Sequence, residues 1–517
     1  MNRTKTITLE LLLAGEGLSG RAEDEIGASR EFSGRLGLMH TIDELLAEGT
    51  EEENEMNPTQ TIPETDGAAA LRRLIGGDVL APGDAGWDAA RQTFNLLADQ
   101  SPAMIAIPAS REEVATVVRF AAEAGLRVAP QRTGHNAMPL ASLERTLLLK
   151  TDRLDRVHVD AGARRARVGA GARWEDVVPL ASEQGLAALH GSTPDVSVAG
   201  YTLGGGMGWY ARKHGLAANS VTAIELVTAD GSIRTVDADH QPELFWALRG
   251  GGGNFGVVTA LEFELFPLAE VYAGVLFFPF ERAAEVLHAW NRWTATAPEE
   301  VTSVGRLLQI PPLEEIPEPL RGNSFVVVEA VFLGGQEEGE LLLEPLRALG
   351  PAIDTFAMLP PVGIAELHMD PRDPMPALSD HACLGELDAT AIERLVAAAG
   401  PGSGSGLVSV ELRHMGGALA RAADGAGAAA TMPGEFISFA VGIAADEEMA
   451  ARTEADLARA TAALAPYESG RYLNFVERSA AAESFFDPAT AARLLDVKRT
   501  YDPTHLFQAN HELGAGR

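Results

Sequence analysis

Cysteine is almost absent: one residue, Cys383, stands in a chain of 517. A single thiol excludes an internal disulfide, a thiolate metal cluster and a Cys-x-x-Cys redox pair. Basic residues are also scarce, with Lys+Arg 41 against Asp+Glu 73 and a formal net charge of −32. An acidic chain repels phosphate backbones and anionic lipid, which argues against nucleic acid and membrane surfaces as partners. No apolar run approaches the ~18 residues that cross a bilayer. Residues 1–15 come nearest to a targeting segment, but Glu10 interrupts the apolar run and no small-residue cleavage site follows, so no export signal is expected. With 46% hydrophobic residues the chain can still bury a large core. These features suit a soluble globular protein of two to four domains in a reducing cytoplasm, at about 150 residues per domain.

Residues 1–65 differ from the rest. They carry the acidic run Glu51–Glu55 and little amphipathic periodicity, and they read as a disordered extension with a short helix over 41–46. Order is expected from about residue 66. Met104–Pro108 reads as a buried strand and Ser110-Arg-Glu-Glu113 as a capping box. A helix with apolar Val114, Val117, Val118 and Ala121 follows, stopped at Gly125. Leu126–Ala129 is a second strand, completing a β-α-β unit that leads into the loop 130–136. Asp230-Gly231 joins two further strands as a hairpin. A helix starts at Pro242, and a strand starts at Val257. Beyond residue 270 the strands lengthen, as over 324–333 and 407–413, with helices expected near 447–463 and 488–501. The class is α+β.

Three glycine turns stand out: Gly169-Ala-Gly171, Gly204-Gly-Gly-Met-Gly208 and Gly250–Gly256. The last contains a literal G-x-G-x-x-G at Gly251, Gly253 and Gly256. A dinucleotide fingerprint must follow a strand and open a helix. Here the helix precedes the glycines and the strand follows them, so no Rossmann site is expected. Runs without Cβ atoms nevertheless let backbone N–H groups approach a polyanion, and together they suggest an extended cofactor cradle.

Thr133-Gly-His-Asn136, Thr193–Leu216, Gly250–Thr259, Tyr472-Leu-Asn-Phe475 and Tyr501–Phe507 resemble, in order, the motifs of the vanillyl-alcohol-oxidase superfamily with its PCMH-type flavoprotein fold. The last two are similar to the closing motifs of the berberine-bridge-enzyme-like branch. The resemblance implies an FAD-binding PCMH-type domain over 66–268, a substrate domain over 269–466 built on a large antiparallel sheet covered by helices, and a segment over 467–517 returning to the first. It implies FAD contacts from Arg132, Thr133, Gly134, His135, Asn136, Ser192, Thr193, Val198 and Tyr201. Further contacts are implied for Gly204, Gly205, Gly206, Gly208, Gly215, Leu216, Gly253, Asn254, Gly256, Val257, Val258, Asn474 and Asn510. It also implies covalent attachment of the flavin to His135. Thr193 stands where bicovalent members carry cysteine, so no cysteinyl link is expected.

Attachment needs a neutral imidazole as nucleophile toward an electron-poor benzylic carbon. The implied reaction is hydride transfer from an alcohol or amine carbon of a small molecule, such as a sugar or an alkaloid, to flavin N5, with O₂ as acceptor and H₂O₂ as product. A dehydrogenase with another acceptor, or a flavin-binding protein without catalysis, are the alternatives. Tyr472 is the leading base or orienting residue. Glu411 and Arg413 alternate along a strand and so share one face. They are substrate-facing by the resemblance, while a solvated pair fits the spacing equally. His414 points the other way. His368-Met-Asp370 reads as a loop turn, and no metal site is predicted. Trp174, Trp209 and Trp246 read as core anchors.

Overall fold

The computed structural model describes residues 7–14, 17–24, 29–33 and 64–514, apart from 141, 315 and 317. Two units result, 1–61 and 62–517. In the first, Ile7–Ala14, Gly17–Asp24 and Ser29–Ser33 form an antiparallel three-stranded sheet with Ala14 opposite Gly17. The central strand pairs on both sides, and the outer two each pair with it on one side. The expected helix over 41–46 and the run Glu51–Glu55 lie outside the described residues.

The second unit opens on a four-stranded sheet. Ser110 caps the helix Arg111–Glu123, accepting from the Glu113 N–H at 3.3 Å, and Gly125 at φ 68° ends it. The capping box is incomplete. The Glu113 carboxylate accepts instead from the N–H groups of Gly76, Gly77 and Ala109 and pins the preceding loop. Met104–Ile107 and Arg127–Gln131, expected as one β-α-β pair, are not neighbours. Thr146–Lys150, fully buried, lies between them and runs parallel to both. Its apolar centre, Leu147-Leu-Leu149, is what a strand covered on both faces requires.

A five-stranded antiparallel sheet follows, containing Val221–Val227, Ile233–Asp237 and Val257–Glu264. The Asp230-Gly231 turn forms as the sequence indicates, with Gly231 at φ 71°. Helix Pro242–Leu248 precedes the third glycine loop and Val257–Glu264 follows it, so the loop does not open a helix.

The largest layer is a nine-stranded antiparallel sheet drawn from residues 271–470. Its outer face is sealed by the helices Ala283–Thr294, Gln336–Arg347, Ala389–Ala399 and Glu447–Leu464 around Trp290, Leu395 and Leu457. The inner face follows from strand alternation. Arg306, Glu411, Phe439 and His381 make one cross-strand row, and Glu329, Val304, Arg413, Ile437 and Cys383 make the next. Helix Pro488–Tyr501 returns the chain to the first sheets, where a bridge joins Val128 to Phe507.

Candidate active site

Between the glycine loops and the inner face of the large sheet lies a cavity of about 1200 Å³. That exceeds the ~300–1000 Å³ of an ordinary small-molecule pocket and leaves room for a dinucleotide beside a substrate.

One wall is the loop after Arg127–Gln131. Arg132 is held by Asp152 at 3.0 Å and by the Gly171 carbonyl at 2.7 Å. Gly134 at φ 73° turns the chain there, and an added Cβ would meet Thr93 at 2.9 Å. The turn presents His135, whose ring stacks on Phe94 with centroids 3.9 Å apart. Thr133 Oγ1 engages His135 Nδ1 at 2.9 Å. Nε2 is buried without a hydrogen bond, 3.6 Å from Asp195 Oδ1. Asn136 Oδ1 is likewise buried and unpartnered.

A second wall comes from the C-terminal segment. The Tyr472 hydroxyl accepts from the Gly206 and Met207 N–H groups, each at 3.1 Å, and from Asn474 Nδ2 at 2.9 Å. Burial pushes the phenol up to about 12, outweighing the three donors that favour its anion. Tyr472 is therefore a neutral phenol near pH 7 that fixes the glycine loop. Gly204 is required by the same contact, since a Cβ there would sit 1.7 Å from Asn474 Oδ1.

The third wall is a buried charge cluster on the sheet. Arg413 donates to Glu411 Oε1 at 2.8 Å, and His368 Nε2 lies 3.1 Å from Glu411 Oε2. His368 Nδ1 is 2.5 Å from Glu329 Oε2, and Arg306 reaches Glu329 Oε1 at 3.2 Å. Asp370 accepts from Thr193 Oγ1 at 2.5 Å and Ser192 Oγ at 3.2 Å, tying the sheet side to the opposite loop. Burial opposes charge on Glu411, but Arg413 and His368 overcome it and hold the carboxyl far below the ordinary range. A carboxylate stabilised to that degree is a poor proton acceptor. Glu411 and Arg413 thus form a desolvated wall rather than a solvated pair. His414 lies on the opposite face, stacked on Phe436, as alternation requires.

Of the residues expected at the cofactor, Arg132, Thr133, Gly134, His135, Asn136, Ser192, Thr193, Tyr201, Gly204, Gly253, Gly256, Val258, Asn474 and Asn510 line this cavity, as do Tyr472, Glu411 and Arg413. Eight others do not. Val198, Leu216 and Val257 are core side chains. Gly205, Gly206 and Gly215 have positive φ and shape turns, while Gly208 makes room for the His190 carbonyl. Asn254 bonds Gly251, His511 and Leu513 and braces the C-terminus. Gly169 and Gly171 are packing glycines against the 151–154 backbone, and only Ala170 between them reaches the cavity.

A family model described as an FAD binding domain matches residues 102–237. Over 470 residues the chain is 30% identical to (R)-6-hydroxynicotine oxidase of Paenarthrobacter nicotinovorans, covering 85% of this chain and 97% of that protein. The chain belongs to the berberine-bridge-enzyme-like branch of the FAD-linked oxidases. The crystal structure of 6-hydroxy-D-nicotine oxidase from Arthrobacter nicotinovorans is similar with a TM-score of 0.72 at 27% identity, over 84% of this chain and 97% of that one. Physcomitrella patens BBE-like 1 shares the fold, with a TM-score of 0.76 at 19% identity over 87% and 99%.

The protein is thus an FAD-dependent oxidoreductase of the PCMH-type fold. Its cavity fits the cofactor: glycine backbone on one side, and unpartnered buried polar atoms at His135 and Asn136. Sequence reasoning took His368-Met-Asp370 for a loop turn and passed over Glu329 and Arg306. Their partners are remote in the chain, and the one available signal was Glu329 breaking an otherwise apolar strand.

Proposed function

We propose that this protein oxidises an alcohol or amine carbon of a small molecule, holding FAD through a single covalent bond at His135 and returning electrons to O₂. The observation that carries the attachment is the His135 ring itself, on a residue that lines the cavity: one nitrogen is engaged by Thr133, and the other has no hydrogen-bond partner and lies 3.6 Å from Asp195 Oδ1. That is the state an imidazole nucleophile needs. Cys383 is buried in the sheet and does not line the cavity, and its thiol is pushed up to about 12 by burial, so a thiolate link has no donor here.

FAD, when bound, supplies the hydride acceptor at N5. The chain does the rest. Gly253 admits the cofactor closely, Asn136 and Asn510 offer amides to it, and Tyr472 and Asn474 fix the glycine loop at Gly204. The Glu411–Arg413 pair presents a desolvated polar surface to the substrate. The single buried cysteine and the acidic composition suit a reducing compartment, and a cytoplasmic location is part of this proposal.

Acid precipitation of the holoenzyme should leave flavin fluorescence on the protein, whereas His135→Ala should release it to the supernatant. Wild type that releases all its flavin would overturn the attachment. Stopped-flow mixing of the reduced enzyme with air tests the acceptor: reoxidation over many minutes would exclude O₂ in favour of another carrier.

A further inference from the structure

The substrate side of the cavity is strongly apolar. Leu308 and Ile310 from one strand, Phe439, Val441 and Ile443 from another, and Met375 before a third line it. None of the six tryptophans does. A sugar needs paired polar groups for its many hydroxyls, and apart from Phe439 and Phe475 this side of the cavity is mainly aliphatic. Nearly every charged group on the wall is already committed: Arg413 and His368 to Glu411, Arg306 to Glu329, Arg132 to Asp152, Arg372 to Glu175.

Two have no ion pair among the described residues, Asp373, which is exposed, and Glu477. Glu477 is half-buried two residues beyond Phe475 and lines the same cavity as Phe439, Val441 and Ile443. No Lys, Arg or His ion-pairs with it among the described residues. Arg471, on the same segment, is taken by Asp380 and Glu468. We propose that Glu477 is the anionic anchor for the substrate, and that the substrate is a lipophilic amine bound as its cation, with the hydrocarbon against the aliphatic wall and the ammonium on Glu477. This rests on the oxidoreductase reading of the same cavity and narrows it. Its physical basis is that an unpaired carboxylate in an apolar cavity gains most from a ligand of opposite charge.

Burial pushes the Glu477 carboxyl up to about 7. A cation prefers the ionised form, so affinity should climb as pH rises through that value. Benzyltrimethylammonium is a suitable probe, because its charge does not change with pH, and benzyl methyl ether is its neutral counterpart. Titration calorimetry on the FAD-loaded wild type should show cation affinity rising about tenfold between about pH 6 and 8. The ether should show no such rise. Glu477→Gln, nearly isosteric, should abolish the rise and weaken the cation about tenfold at pH 8 while leaving ether binding unchanged.

Equal affinity for cation and ether, no binding of the cation, or an unchanged rise in the variant would each overturn the anchor. The wild-type pH series decides the matter even where the variant folds poorly. A yellow, FAD-loaded protein that fails these tests loses the anchor alone. A protein that takes up no FAD loses the oxidoreductase reading as well.

Discussion

His368 Nδ1 and Glu329 Oε2 stand 2.5 Å apart with the two residues 2% and 0% exposed, from segments 39 positions apart in sequence. Burial lowers the imidazole, but Glu329, Asp370 and Glu411 more than offset this and push it up to about 9. The folded value therefore lies above the ordinary 6.5. The stability that His368 contributes is fully present below that ordinary value and is lost as pH rises toward about 9. His368→Asn should remove this alkaline slope and cost about 3 kcal/mol or more at pH 6, because it removes the buried cation that Glu329 and Glu411 share. Melting temperatures of both proteins across this range test it; parallel curves would refute the charged imidazolium.

Tyr472 offers a different test. Tyr472→Phe strips the acceptor from two backbone N–H groups and from Asn474 at once, which should cost about 1–3 kcal/mol and loosen the glycine loop. Since the hydroxyl titrates near 12, the variant and wild type should share the same pH dependence of anaerobic flavin reduction up to about pH 10. A limb present only in the wild type would restore Tyr472 as the base.

The glycine loops can be separated into packing and cradle positions. Gly204→Ala places a Cβ at 1.7 Å from Asn474 Oδ1, so Asn474 must leave its bonds to Tyr201 and Tyr472. A loss of about 1–3 kcal/mol in unfolding free energy is expected. At Gly253 the nearest atom to an added Cβ is Ala509 Cβ at 4.0 Å. Gly253→Ala should therefore keep the apoprotein's melting temperature while weakening FAD uptake. Unchanged uptake in that variant would show that the cofactor does not approach Gly253.

Local pattern carried much of this protein a long way. The Ser110 cap, the stop at Gly125, the Asp230-Gly231 hairpin and the helix Pro488–Tyr501 all depend on residues within a few positions of one another. So did the shared face of Glu411 and Arg413, which follows from a two-residue period. The burial of Thr146–Lys150 between two strands of an apparent β-α-β unit did not, because strand order is settled by long-range pairing.

By itself the amino-acid order determined the motif series around His135, the class of cofactor and the layout of turns, since each is written in the backbone freedom of nearby residues. Only the folded sheet decided what those side chains do. It brought Glu329, His368 and Glu411 together and so made Glu411 a held ion. It aimed the Tyr472 hydroxyl at the Gly206–Met207 backbone, and it left Glu477 without an ion pair among the described residues. Charge and proton affinity depend on neighbours and on desolvation, and both are properties of the three-dimensional packing.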